Sequence, residues 1–171
     1  LRRYGEPLTF EIITAVSKEM KQVIELAKKA AYTETPVLLI GESGTGKDMI
    51  AEGIHHYISP KKNEFITIFS RREDELMLSK VALALQQKTP CTFFFERIEF
   101  LDLTVQQQLL RLLEATKTKH HMIIASTGSD PIELIANGIL LKELYYYFAA
   151  FSITVPPLRI LSRTSSVKCR P

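Results

Sequence analysis

The chain has 171 residues and a formal net charge of +3, with 46% hydrophobic and 24% charged residues. This length and composition suit one soluble globular domain with a sizeable core, and they exclude a disordered chain. Its apolar runs of about five residues are far shorter than the roughly 20 residues that cross a bilayer, so we expect neither a membrane span nor a signal peptide.

Alternating helices and strands are predicted in chain order from hydrophobic periodicity. Residues 17–31 predict an amphipathic helix, because apolar residues recur on one face at helical spacing: Met20, Val23, Ile24, Ala27 and Ala31. The elements that follow are strand 36–40, helix 47–59, strand 65–69, helix 73–87, strand 91–95, helix 104–116, strand 122–125, a helical stretch 131–147 in one or two pieces, and strand 151–155. This alternation of apolar strands with helices predicts a three-layer α/β domain with a mostly parallel five-stranded sheet.

A glycine-rich segment lies between the first strand and the next helix. It fits the pattern G-x-x-x-x-G-K in the strand–loop–helix context that the pattern requires: Gly41, Glu42, Ser43, Gly44, Thr45, Gly46 and Lys47. Glycines let successive backbone N–H groups point into one concavity that cradles phosphates. The helix dipole adds positive potential, and the ammonium of Lys47 can reach the terminal phosphates. The segment therefore predicts a binding site for a nucleoside triphosphate, ATP first among them.

The residue after the lysine departs from this pattern. Ser or Thr normally stands there and ligates Mg²⁺, whereas this chain has Asp48. A carboxylate suits the positive end of a helix, and it could meet Mg²⁺ directly or through water. Asp48 is therefore a candidate both for nucleotide binding and for metal binding.

Several further segments, on both sides of the loop, carry motifs that recur in the same order along a known type of domain. They are Ile12-Ile13 with Ser17 and Met20, the helix residues Gln107, Leu109, Leu110 and Arg111, and the stretch Gly138–Arg159 with its Pro156-Pro157 pair. Together with Gly41–Asp48, they resemble the AAA+ domain of bacterial sigma-54-dependent enhancer-binding activators, the NtrC-like proteins. In that family an acidic residue commonly follows the lysine, which is consistent with Asp48.

The resemblance implies the partners and the cofactors of the domain. ATP and Mg²⁺ would bind at the loop, with Ile12 and Ile13 beside the base and with Asp48 and Glu96 near the metal. The sigma-54 factor of RNA polymerase and further copies of the chain are the implied protein partners, and DNA would be bound only through a domain outside this chain. We expect residues 1–159 to form the AAA+ domain and the basic residues 160–171 to form a tail or linker. Two isolated cysteines, Cys91 and Cys169, favour a reduced, cytoplasmic setting.

The second acidic motif of the family is incomplete. Where the resemblance implies Asp-Glu at the end of the third strand, this chain has Glu96-Arg97. Glu96 could hold Mg²⁺ through water, but Arg97 cannot act as a general base, because guanidinium keeps its proton up to a pKa above about 12. With a register shifted by one residue, Glu96 would be the base and Phe95 would replace the metal-binding Asp. In either register one acid is missing.

Other parts of the hydrolytic and remodelling machinery also differ. Gly128 stands where a polar Asn is implied, with Thr127 as a weak substitute, and the implied arginine-finger positions hold Leu141 and Tyr147. The sigma-contacting Gly-Ala-Phe-Thr-Gly-Ala loop has no counterpart between Phe69 and Thr92, and we expect no helical lid within residues 160–171.

These observations support one leading hypothesis and two alternatives. The first is an ATP-binding regulatory domain of a bacterial transcriptional regulator with weak or no ATP hydrolysis. The second is an active ATPase that remodels sigma-54 polymerase and uses Glu96 as its only acid. The third is a protein-interaction scaffold that binds no nucleotide. A small-molecule kinase is the least favoured class, because no acceptor-binding motif is present.

Overall fold

The computed structural model of the chain describes residues 9–11, 19–58, 64–70, 75–116 and 120–157, with backbone only for Glu75 and Leu76. The helices are α1 Met20–Thr33, α2 Lys47–Ile58, α3 Glu75–Leu85, α4 Leu103–Ala115, α5 Pro131–Ala136 and α6 Lys142–Phe148. The strands are β1 Val37–Ile40, β2 Phe65–Phe69, β3 Thr92–Glu96, β4 Met122–Thr127 and β5 Phe151–Thr154. A short 3₁₀ turn, Ile98–Phe100, follows β3. Across the described ranges, every helix is too short or too polar to cross a bilayer.

The strands form one sheet in the order β2-β3-β4-β1-β5. All four neighbouring pairs are parallel, which confirms the predicted five-stranded sheet. After β1, the chain crosses to the far edge of the sheet to form β2. Strands β3 and β4 are then added in turn toward β1, and β5 is added on the other side of β1. The strand order therefore reverses between β1 and β4, and in such sheets ligands bind beyond the carboxyl ends of the strands at that point.

Two separate cores cover the two faces of the sheet. Leu38, Phe93 and Phe95 pack with the core that contains α3 to α6, whereas Leu39 and Phe94 pack with the core that contains α1 and α2. Successive strand residues point to opposite faces, so a strand covered on both sides is apolar throughout. The three phenylalanine side chains are at most 1% exposed, and burial of each contributes about 1.5–3 kcal/mol.

The structure adjusts several predicted boundaries. The predicted helical stretch 131–147 is two helices, and Gly138 between them has a φ of +71° that no helix contains. Strand β4 continues to Thr127 rather than ending at Ala125, because its last residues are buried and pair with β1. In α3, Leu85 is fully buried but Leu83 is 69% exposed, since residues two apart on a helix lie on nearly opposite faces.

Candidate nucleotide-binding site

The glycine-rich loop connects the carboxyl end of β1 to the first turn of α2. Gly44 and Gly46 have φ values of +79° and +86°, a region that side chains with a Cβ rarely adopt. These two glycines therefore allow the turn that brings the loop backbone round to the start of α2. The loop has the predicted strand before it and the predicted helix after it, and it lies at the point where the strand order reverses.

Two buried polar side chains lie inside this loop. The Thr45 hydroxyl oxygen is buried and has no hydrogen-bond partner among the described residues. The Lys47 ammonium is held inside the loop, where it donates to the carbonyl oxygens of Gly41, of Glu42 at 3.3 Å and of Thr127 at 3.4 Å. Burial, followed by the nearby Arg97 charge, lowers the pKa of Lys47. A phosphate is a stronger acceptor for an ammonium than a carbonyl oxygen is, so both side chains fit a phosphate-bearing ligand.

Two carboxylates lie next to the loop. Asp48 is exposed in the first turn of α2, and Glu96 is the last residue of β3 and is half-buried. Burial and then the negative charge of Asp48 raise the pKa of Glu96, so the two carboxylates are close enough to repel each other. Mg²⁺ prefers oxygen ligands and usually takes only one or two carboxylates from a protein. Asp48 and Glu96 therefore fit a nucleotide-bound Mg²⁺, although no group of three or more metal-binding side chains occurs among the described residues.

Arg97 extends from the end of β3 to the loop. Its backbone has a φ of +56°, and its N–H donates to the Ser126 hydroxyl of β4 at 3.0 Å. Its guanidinium donates from Nε to Glu99 at 2.6 Å and from Nη1 to the Ser43 hydroxyl of the loop at 3.0 Å. The sequence predicted only that Arg97 is not a base; the structure adds a direct contact between this residue and the phosphate-binding loop.

Glu99 is a site residue that sequence reasoning missed. Its side chain is only 6% exposed, and its Oε1 accepts both from Arg97 and from the Gly128 backbone N–H at 2.7 Å. Its Oε2 is buried without a hydrogen-bond partner in the described part of the chain. An acid two residues after an arginine, directly beyond an apolar strand, was the only signal of this role in the sequence.

Thr127 and Gly128, at the end of β4, contribute backbone groups to the site rather than side chains. Thr127 is fully buried and its hydroxyl donates to the Ser129 carbonyl at 3.0 Å, so its proton is directed to the backbone of its own chain. A Cβ atom on Gly128 would lie 2.5 Å from Cζ of Arg97. The absence of a side chain at 128 is thus what makes room for the guanidinium.

The remaining predicted residues lie away from this cluster or outside the described ranges. The Leu141 N–H donates to Gln106 at 2.8 Å, and Tyr147 packs against the core of α3 to α6. Burial and the nearby Glu114 raise the pKa of Tyr147 to about 12, so this side chain stays neutral. Ile12 and Ile13, which the resemblance puts beside the base, fall outside the described residues.

A cavity of about 480 Å³ lies at the other end of the strands from the loop, beside the amino ends of β1 and β4. Pro36, His121 and Tyr146 are among the residues that line it. None of its lining residues belongs to the loop, Glu96, Arg97 or Gly128, so this cavity is separate from the candidate nucleotide site.

Comparisons with known proteins identify the family. The profile of the Sigma-54 interaction domain matches residues 13–158. The transcriptional activator RocR of Bacillus subtilis is 30% identical over an alignment 176 positions long, gaps included, which covers 88% of this chain and 38% of RocR. The nitrogen fixation protein VnfA of Azotobacter vinelandii is 30% identical over an alignment 181 positions long, gaps included, which covers 91% of this chain and 35% of VnfA.

A solved structure supports the same assignment. The P-loop NTPase domain of a Sigma-54 transport activator from E. coli has 25% sequence identity and a TM-score of 0.67, covering 83% of this chain and 97% of that one. This likeness confirms the predicted P-loop fold with its parallel sheet. The chain spans little more than a third of the curated relatives, 38% of RocR and 35% of VnfA. The family profile nevertheless covers most of the chain, which therefore belongs to the Sigma-54 interaction domain family, the AAA+ domain of NtrC-like transcriptional activators.

Proposed function

We propose that this chain is the ATP-binding regulatory domain of a cytoplasmic bacterial transcriptional regulator and that it hydrolyses ATP weakly or not at all. The observation that carries this proposal is an intact phosphate loop, with Lys47 buried inside it, beside an arginine where the second acidic motif should end. Residues 1–159 would form the domain, and residues 160–171 would form a basic tail or linker.

Nucleotide binding is supported by the polar groups that the loop presents. The N–H groups of residues 41–47 would bind the phosphates, and the buried hydroxyl of Thr45 and the ammonium of Lys47 have the chemistry that a phosphate satisfies. Asp48 and Glu96 would hold Mg²⁺, which neutralises phosphate charge when it is bound. Ile12 and Ile13 would flank the base, as the resemblance implies.

Weak hydrolysis is supported by the residues that this site lacks. General-base assistance contributes about 10²–10⁴-fold to a rate, and Arg97 cannot provide it. Arginine fingers contribute about 10³–10⁵-fold in related hydrolases, whereas the corresponding positions hold Leu141 and Tyr147. Even one of these losses would reduce turnover to a small fraction of that of a complete site.

The family makes the sigma-54 factor the first partner to consider, and a further copy of this chain the second. Helix α3 occupies the segment between β2 and β3 where the resemblance implies the long sigma-contacting loop. We therefore infer a regulatory role at the promoter rather than ATP-driven remodelling of the polymerase. DNA would be bound by a module outside this chain.

One observation favours the alternative of an active ATPase. The pKa of Glu96 is raised by burial and by Asp48, and a carboxyl with a raised pKa is a better general base near neutral pH. In that case Glu96→Gln would abolish phosphate release. A scaffold without nucleotide is the other alternative, and it predicts that ATP–Mg²⁺ has no effect on thermal stability.

Calorimetric titration of ATP–Mg²⁺, followed by a phosphate-release assay on the same samples, tests the proposal. Removal of a charge-assisted contact in Lys47→Ala should weaken binding by about 10–100-fold. Lys80→Ala is the matched control, because Lys80 is exposed on α3 and its loss should not change affinity.

The combined result separates the three functions. Binding that depends on Lys47, with release no faster than the background, supports the regulatory domain. Rapid release that disappears in Glu96→Gln supports the ATPase. If wild type binds no nucleotide at all, the proposed function is wrong and the scaffold remains.

A further inference from the structure

We propose that Arg97 recognises the terminal phosphate of the bound nucleotide from within the same chain, and that Glu99 and Gly128 position its guanidinium for this role. The domain would then prefer a nucleoside triphosphate to a diphosphate because of a side chain that replaces a catalytic acid. The inference rests on the proposed function, since it requires a nucleotide in the loop.

The first argument is the contact between Arg97 and the loop. Nη1 of Arg97 lies 3.0 Å from the hydroxyl of Ser43, and Ser43 stands between Gly41 and Lys47. A neutral hydroxyl is a modest acceptor for a guanidinium, whereas a phosphate accepts two parallel N–H bonds from its planar fork. A phosphate bound in the loop can therefore replace Ser43 as the acceptor.

The second argument is that the guanidinium is held in place before any ligand arrives. Its Nε donates to the buried Glu99 at 2.6 Å, and the same oxygen accepts the Gly128 N–H at 2.7 Å. The guanidinium also lies over the ring of Phe100, whose centroid is 4.3 Å from Cζ. Arg97 also has a φ of +56°, a backbone conformation that a residue other than glycine keeps only when its surroundings impose it.

The third argument is the charge of the site. Arg97 and Lys47 are two cations beside one loop, because the Lys47 ammonium contacts the carbonyl oxygens of Glu42 and Thr127 while the Arg97 guanidinium contacts Ser43. An anion between two like charges removes their repulsion. A triphosphate has more negative charge to share between them than a diphosphate has, so the site favours the longer phosphate chain.

The fourth argument is the match between residues 97 and 128. A Cβ at position 128 would lie 2.5 Å from both Cζ and Nη2 of Arg97, a distance that such atoms never have. Gly128 does not have the positive φ that would strain an alanine there, and the three atoms nearest to the added methyl group would all belong to the guanidinium of Arg97. Gly128 thus lacks the side chain that the resemblance implies, and the guanidinium of Arg97 occupies that space.

The test compares a non-hydrolysable ATP analogue with ADP, both with Mg²⁺, by calorimetry. The proteins are wild type, Lys47→Ala, Arg97→Ala, Gly128→Ala, and the double variant Arg97→Ala with Gly128→Ala. We expect Arg97→Ala to weaken binding of the analogue by about 10–100-fold, the effect of one charge-assisted contact, and to leave ADP affinity unchanged. Gly128→Ala should have the same selective effect, because its methyl group displaces the guanidinium.

The double variant is the control for this mechanism. Once Arg97 is alanine, the methyl group at 128 has nothing to displace, so the second change should add no further loss. Thermal unfolding of each variant without nucleotide shows whether it is folded. If Gly128→Ala does not fold, the comparison of wild type with Arg97→Ala is sufficient to test the inference.

The outcomes separate this inference from the proposed function. If both nucleotides bind through Lys47 and Arg97→Ala changes their affinities equally, in either direction, the inference is wrong and the proposed function stands. If wild type binds neither nucleotide, both are wrong. Selective loss of the triphosphate in the two single variants, without an additional loss in the double variant, supports the inference.

Discussion

Gln106 in α4 provides a test of how the segment between α5 and α6 is held. Its side chain is completely buried. The amide nitrogen donates to the carbonyl oxygens of Leu101 at 2.9 Å and Ile139 at 2.8 Å, and the amide oxygen accepts the Leu141 N–H at 2.8 Å. Gln106→Met keeps the length and approximate volume of the side chain but removes all three hydrogen bonds.

The expected loss follows from the backbone groups that remain unpaired. A fully buried group that loses its partner costs about 1–3 kcal/mol, and the net value of an ordinary hydrogen bond is about 0.5–1.5 kcal/mol. The bond to Leu101 is buried and the bonds to Ile139 and Leu141 are partly buried, so the sum is about 2–6 kcal/mol. This is a large share of the free energy of unfolding of a typical domain, about 5–15 kcal/mol.

Urea denaturation followed by circular dichroism measures this loss directly. Gln107→Met is the matched control, because Gln107 is the next residue of the same helix and is exposed. Its free energy of unfolding should stay within about 0.5 kcal/mol of wild type. If Gln106→Met and Gln107→Met unfold at the same urea concentration, the three hydrogen bonds contribute nothing and the reasoning is refuted.

Two further predictions concern pH. Burial and Asp48 raise the pKa of Glu96 above 4.5, so ionisation of Glu96 destabilises the fold as pH rises through that raised value. Glu96→Gln should therefore have a higher melting temperature than wild type at neutral pH, and this difference should disappear below about pH 4.5. An unchanged melting temperature at neutral pH would contradict this prediction. Burial, with a smaller effect of His56, lowers the pKa of His55 below 6.5. The fold therefore has the whole stabilising contribution of neutral His55 above pH 6.5 and loses it as the pH drops through the lowered pKa. Between about pH 8 and pH 5, the melting temperature should decrease less in His55→Gln than in wild type. An equal decrease in both proteins would exclude His55 as the cause of the loss of stability at low pH.

The features that could be predicted from sequence depend on neighbours along the chain. The loop from Gly41 to Lys47 follows from its glycines and from the strand and helix beside it. The run Phe93–Phe95 indicates a buried strand because three successive apolar residues can be satisfied only where both faces of a sheet are covered. The periodicity of α1 likewise predicts its buried face. The structure confirms this prediction, because Met20 and Ala31 are each at most 3% exposed.

The features that could not be predicted depend on residues far apart in the chain. His121 accepts the Cys91 N–H at 3.1 Å through Nδ1 and pairs with the Leu85 carbonyl at 2.8 Å through Nε2. The sequence shows only one of two adjacent histidines there. Gln106 likewise looks like one of three consecutive glutamines until the segment around Leu141 packs beside it.

Arg97 separates the two kinds of information most clearly. From the sequence alone, it was a lost catalytic base and Gly128 a lost polar residue, because each position was compared with a family pattern by itself. The structure shows that the guanidinium lies where a Gly128 side chain would be and contacts Ser43. The phosphate loop is set by local backbone geometry, which seven consecutive residues specify. The surroundings of that loop were decided only when parallel pairing brought the carboxyl ends of β1, β3 and β4 together, because strand order, and not distance along the chain, determines which side chains meet there.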